Sequence, residues 1–104
     1  LEANYTGKWP VITGQDCDIA NIKNMKAGKQ SMSIFKDTRD LAAQVVKMVD
    51  AIMKGGEAPV NDTKSYDNGT GIIPSYLCEP VFAFIDNYKE LLIDSGYYKE
   101  SDLE

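Results

Sequence analysis

The sequence contains no histidine. This removes the side chain that most often activates serine and cysteine nucleophiles, ligates transition metals and exchanges protons near neutrality. Ser–His and Cys–His hydrolase chemistry therefore cannot reside in this chain alone. Cysteine is scarce: Cys17 and Cys78 are the two present, too few for a zinc cluster without other donors. There is no basic stripe. Eleven Lys and Arg stand against 16 Asp and Glu, a net charge of −5, which argues against nucleic acid as a partner. The acidity is mild, and its plain role is solubility. No apolar run approaches the about 20 residues of a membrane-spanning helix. There is no signal peptide, and Leu1 is not an initiator methionine, so the chain reads as a piece of a longer or processed protein. In such a piece a missing leader says nothing of compartment.

What is present is enough for one hydrophobic core: 104 residues, 43% of them hydrophobic. After a polar stretch at 1–8, Trp9-Pro10-Val11-Ile12-Thr13 reads as a short buried strand that Gly14 breaks. The turn Gly14 to Asp18 leads into a helix, with Asp18 as N-cap and Ile19, Ile22 and Met25 at helical spacing. Lys26 suits the last turn and Gly28 ends it. Ser31 to Phe35 alternates as a second strand, Met32 and Ile34 on one face and Ser31, Ser33 and Phe35 on the other. Asp37 or Thr38 caps a longer helix whose Leu41, Ala42, Val45, Val46, Val49, Ile52 and Met53 form one wide apolar face, stopped by Gly55-Gly56. Residues 57–71 are loop-rich, with a hairpin-type turn at Asp67-Asn68-Gly69-Thr70. Ile72 to Phe84 is extended but interrupted by Pro74 and Pro80. Asn87 and Glu90 form a capping-box pattern for a last short helix that Gly96 stops. The tail from Tyr97 to Glu104 reads as polar. Strand, helix, strand, helix, extended stretch and helix together indicate an α/β architecture, the first strand–loop–helix being half of a parallel α/β repeat.

Two charged residues end consecutive strands. Asp16 follows the first, at the carboxyl edge where open α/β sheets bind ligands; its carboxylate accepts hydrogen bonds from hydroxyls, and the same position also suits a helix N-cap. Lys36 follows the second; its ammonium offers three donors, and the alternative is a solvated surface lysine. If the strands are parallel neighbours, the two heads converge on one crevice. Asp16-Cys17-Asp18 lacks the later glycine and glutamate of a calcium loop, so no metal site is assigned. The sequons at Asn61 and Asn68 read as turns. Trp9, at the start of a strand, stands at the wrong end for a ligand, and Tyr97-Tyr98 reads as packing.

The motifs Gly7 to Asp18 (Gly-Lys-Trp-Pro-Val-Ile-Thr-Gly-Gln-Asp-Cys-Asp), Lys29 to Asp37, Lys54 to Glu57 and Ile73 to Val81 fall in one register over nearly the whole chain. In that order they resemble the final segment of periplasmic xylose and multiple-sugar-binding receptors. The resemblance implies part of a two-lobed periplasmic-binding-protein type I fold, whose lobes are three-layer α/β/α sandwiches with sugar held between them. It places 1–36 in the C-terminal lobe, 37–72 in a segment crossing to the N-terminal lobe, and 73–104 in a return segment with the terminal helix and tail. It implies Asp16 and Lys36 as sugar contacts, with Gln15 of the same loop in a weaker role. An exported protein permits a disulfide, and the family's returning late stretch makes Cys17–Cys78 the candidate bridge.

The function so implied is an extracytoplasmic receptor that captures an aldopentose or aldohexose for an ABC importer, without catalysis or cofactor. It would work in the periplasm, or as a lipoprotein on the outer face of the membrane in a Gram-positive cell. The implied partners are the membrane permease and, in some systems, a chemoreceptor or sensor. Two other classes stay open: the effector-binding core of a sugar-responsive repressor, and an α/β enzyme using Asp16 and Lys36 as an acid–base pair. Strands and a helix face without their neighbours lead to the expectation that this piece associates with another chain.

Overall fold

The computed structural model describes residues 4–104; Leu1 to Ala3, the start of the polar 1–8 stretch, lie outside the described residues. The chain divides into two compact units. One comprises the segment ending at Phe35 together with Val81–Glu104, and the other is Lys36–Pro80.

The first unit is built on a three-stranded sheet in the order β1 (Thr13–Gln15), β2 (Met32–Phe35), β3 (Val81–Ala83). β1 and β2 are parallel, with Gly14 opposite Ser33 and Gln15 opposite Ile34. β3 runs antiparallel to β2, with Ile34 opposite Phe82. The α/β class holds, but the sheet is mixed, since the stretch after Pro80 returns as an antiparallel edge strand. β1 also begins later than expected. Pro10 has no N–H for a ladder, and the Trp9 indole N–H donates to the Lys29 carbonyl at 3.0 Å instead. Gly14 is a strand residue and not a breaker. A Cβ there would meet Gln30 Nε2 at 2.6 Å and Asn21 Oδ1 at 2.8 Å, so glycine admits two amide side chains across the strand.

α1 (Ile19–Lys26) buries Ile22 and Met25. Asp18 takes the N-cap position, yet its side chain makes no capping bond. The helix ends as expected: Gly28 has φ +72°, and Lys29 N–H donates to Asn24 O at 2.9 Å. The capping box at Asn87 does not form. Its side chain accepts from Phe84 N–H at 2.7 Å and donates to Phe82 O at 3.0 Å, bracing the turn between β3 and the widened helix α3 (Lys89–Asp94). The tail is less polar in effect than in composition. It forms a 3-10 turn at Glu100–Leu103 that buries Leu103, and Lys26 Nζ donates to the Leu103 carbonyl at 2.7 Å. Tyr97 meets Phe35 edge-on, with ring centroids 4.9 Å apart. The core is Cys17, Ile22, Met25, Phe35, Ala83, Leu92 and Leu103.

The expected Cys17–Cys78 bridge is not formed; both thiols are free. Cys17 is fully buried as a small apolar member of that core, which occupies its sulfur with packing contacts.

The second unit carries α2 (Thr38–Met53), capped by Asp37, which accepts from Arg39 N–H at 2.9 Å. Gly55 at φ +78° ends it, and Gly56 N–H closes on Ala51 O. The wide apolar face is present and uncovered: Leu41, Val45, Val46, Val49, Ile52 and Met53 are all exposed, Met53 at 82%. Gln44 is the buried residue of this helix. The loop-rich stretch folds back as a short hairpin, with Asp62 opposite Ser75 and Asp67 opposite Ile72. Its tip is the expected turn, where Asn68 N–H reaches Gly71 O and Gly69 takes φ +86°. The Asn61 side chain bonds both the N–H and the carbonyl of Leu77, at 2.7 and 3.0 Å, standing in for a further backbone pair.

Candidate functional site

The carboxyl ends of β1 and β2 lie at one edge of the sheet because the two strands are parallel. Ligands of open α/β sheets gather at that edge. Gln15 closes β1, and the chain then turns through Asp16 at φ +74° and Cys17 at φ +52°. Two successive non-glycine residues in the left-handed region cost about 1–2 kcal/mol each, although aspartate tolerates it better than most. The surroundings hold the turn in place. Asp16 N–H donates to Ile34 O at 2.7 Å, extending the β1–β2 ladder by one bond. Cys17 N–H donates to Ser33 Oγ at 3.2 Å in a buried setting. Asn21, from α1, donates its amide to Gln15 O at 3.2 Å. The Cys17 side chain anchors the turn from below, in the core.

Gln15 and Asp16 are exposed on this rim. Burial pushes the Cys17 thiol above its ordinary range; a hydrogen bond with the Ser33 hydroxyl works against that, and the carboxylates of Asp16 and Asp18 add to it. The sulfur is sheltered in the core, while Asp16 is an exposed residue of the turn. Lys36 is the residue after Phe35, the last of β2, and is exposed. It opens the second unit, and the next residue, Asp37, is already the cap of α2.

A carboxylate on a rigid rim accepts hydrogen bonds from neighbouring hydroxyls, and an ammonium donates to hydroxyl or ring oxygens. Among the described residues no group of three His, Cys, Asp or Glu side chains could hold a metal ion, and no helix is long and apolar enough to cross a membrane. Trp9 stands before β1, away from the carboxyl edge of the strand. Tyr97 and Tyr98 pack against the core. Ser33 and Asn21 brace this turn, although neither follows the end of a strand as Asp16 and Lys36 do. Ser33 carried one signal: it is a serine on the buried face of an apolar strand, where a hydroxyl needs a specific partner.

The chain as a whole is similar to known proteins. Residues 1–57 match the family described as Periplasmic binding protein domain. The chain is 52% identical over 95 residues to a multiple sugar-binding periplasmic protein of Azospirillum brasilense, covering 91% of this chain and 26% of that protein. It superposes on an ABC transporter solute-binding protein of Clostridium phytofermentans with bound β-D-glucose at a TM-score of 0.94 and 80% identity, over 99% of this chain and 32% of that one. A carbohydrate-transporter solute-binding protein of Chloroflexus aurantiacus in complex with D-glucose gives a TM-score of 0.81 at 36% identity, over 88% and 26%. The chain thus spans about a quarter to a third of the length of the relatives it matches.

Proposed function

We propose, because the chain belongs to the periplasmic binding protein domain family, that the whole protein of which these residues form part is an extracytoplasmic receptor capturing a monosaccharide for an ABC importer. The observation that carries this reading is the superposition on a glucose-bound solute receptor at 80% identity over 99% of the chain. The residues assigned to the sugar are Asp16 and Lys36 at the carboxyl ends of parallel neighbouring strands, with Gln15 in a lesser part. The segment to Phe35 belongs to one lobe, Lys36–Pro80 to the crossing to the other, and Val81–Glu104 to the return, so the return starts later than residue 73. The receptor binds and releases its sugar unchanged. Closure of the lobes moves a hinge equilibrium that the permease reads. The site of action is the periplasm or the outer membrane surface, by lipid anchor where there is no periplasm.

Hydrogen bonds to charged groups contribute about 1.5–3 kcal/mol each. Two of them supply part of a micromolar affinity, near −8 kcal/mol, and desolvation on closure supplies the remainder. Calorimetry of the full-length receptor with D-glucose tests the assignment. Asp16→Ala and Lys36→Ala should each weaken binding about ten- to a hundredfold. Affinity unchanged in both variants rules out this site.

A further inference from the structure

We infer that Ser33 is a positioning residue for the ligand rim: through the Cys17 amide it holds the Asp16 carboxylate in its binding orientation. The inference rests on the reading of Asp16 as a sugar contact and assigns the residue on which that contact depends. Ser33 is fully buried, in the middle of β2, a position where an apolar side chain would suit the core better. Its Oγ accepts from Cys17 N–H at 3.2 Å. That amide belongs to the second of the two left-handed residues, so the bond acts where the backbone least favours its own geometry. Cys17 lies one residue after Asp16, and the Asp16 amide is tied to Ile34 O, one residue after Ser33. The turn is therefore clamped to β2 at two consecutive points, one main-chain and one side-chain. A change of side chain removes only the second. Without the hydroxyl the Cys17 N–H is left buried and unpartnered, a state that a turn relieves by rotating toward solvent. Rotation there carries the neighbouring Asp16 away from the position set by Ile34.

A positioning role differs from a packing role in its dependence on Asp16. The test is glucose affinity by calorimetry, and melting temperature, for the full-length receptor in wild-type, S33A, S33C, D16A and S33A/D16A forms. S33A should weaken glucose binding about tenfold. S33C, similar in size and with a weak acceptor sulfur, should weaken it about threefold, and it carries the same test if S33A does not fold. In the D16A background the Ser33 substitution should change affinity less than twofold while still lowering the melting temperature. Affinity of S33A within twofold of wild type, alongside a weakened D16A, overturns this inference alone. So does an equal loss from the Ser33 substitution with and without Asp16, which marks a packing residue. Wild-type affinity in D16A overturns the assignment of Asp16 and this inference with it. A wild-type receptor that binds no glucose or other aldose overturns the functional reading itself.

Discussion

Cys17 combines a strained backbone with a fully buried side chain. Its thiol is pushed up by burial and by the carboxylates on either side, and only the thiolate reacts readily. Cys78 is half-buried in the second unit. Differential alkylation with peptide mapping should therefore label Cys78 within minutes in the native protein and Cys17 only after denaturation. A Cys17–Cys78 linked peptide in unreduced protein would contradict the free thiols. At this scale the sequence was legible where position along a strand is all that matters: Asp16 does follow β1, and Lys36 does follow β2. It was not legible where the role depends on what crosses overhead. Gly14 reads as a strand breaker in one dimension, but it is a strand residue kept small by Gln30 and Asn21. Ser33 reads as one member of an alternating pair, and its partner amide is 16 residues away. The bridge followed from the lateness of Cys78 in the chain and a family expectation. Neither could reveal that the core claims the Cys17 sulfur.

The two α-helices were legible because periodicity and end signals agreed. α2 starts after its cap Asp37 and stops before Gly55, by the cap chemistry its residues dictate. The later elements were less legible. Asn87 and Glu90 match a capping box, but a competing pair of bonds to Phe82 and Phe84 takes the Asn87 amide. The cap of α2 yields a prediction. Asp37 lies 2.7 Å from Arg39, and the hydrogen bond from that guanidinium is the chief reason its carboxyl is held below the ordinary carboxylate range. A carboxyl with a depressed folded-state pKa stabilises the helix above its unfolded pKa, and the contribution disappears as pH falls through the folded value. Asp37→Ala should loosen the first turn of α2 by about 1 kcal/mol near neutral pH, read as faster amide exchange at residues 39–42. The difference between variant and wild type should shrink in acid below the carboxylate range. An equal difference at every pH would mean that Asp37 acts by its shape and not by its charge.

Each unit, taken separately, leaves apolar surface open. In the first, β1 and β3 are edge strands with one neighbour each, and Val81, Phe82, Phe84 and Ile85 are exposed around β3. In the second, the face of α2 from Leu41 to Met53 is uncovered. Contiguous exposed apolar patches mark interaction surfaces in soluble proteins, and unpaired strand edges invite another chain. The chain spans 26% of the Azospirillum protein's length, so a relative of that kind has ample further chain to cover both surfaces. Under the proposed function, Asp16 and Lys36 would supply only part of the sugar affinity, so the site would also need residues from that further chain. The expected behaviour of the isolated 104-residue species follows from these two shortfalls. In light scattering it should show a mass above that of a single chain, and it should bind a hydrophobic dye in proportion to the uncovered faces. Replacing Val46 and Met53, 67% and 82% exposed, with lysine should reduce both signals without unfolding α2, whose cap and terminating glycine are untouched. In calorimetry the isolated species should give no glucose binding at concentrations that saturate the full-length receptor. A monomer that unfolds cooperatively and binds glucose with full affinity would show that these surfaces need no cover and that the rim around Asp16 is a complete site.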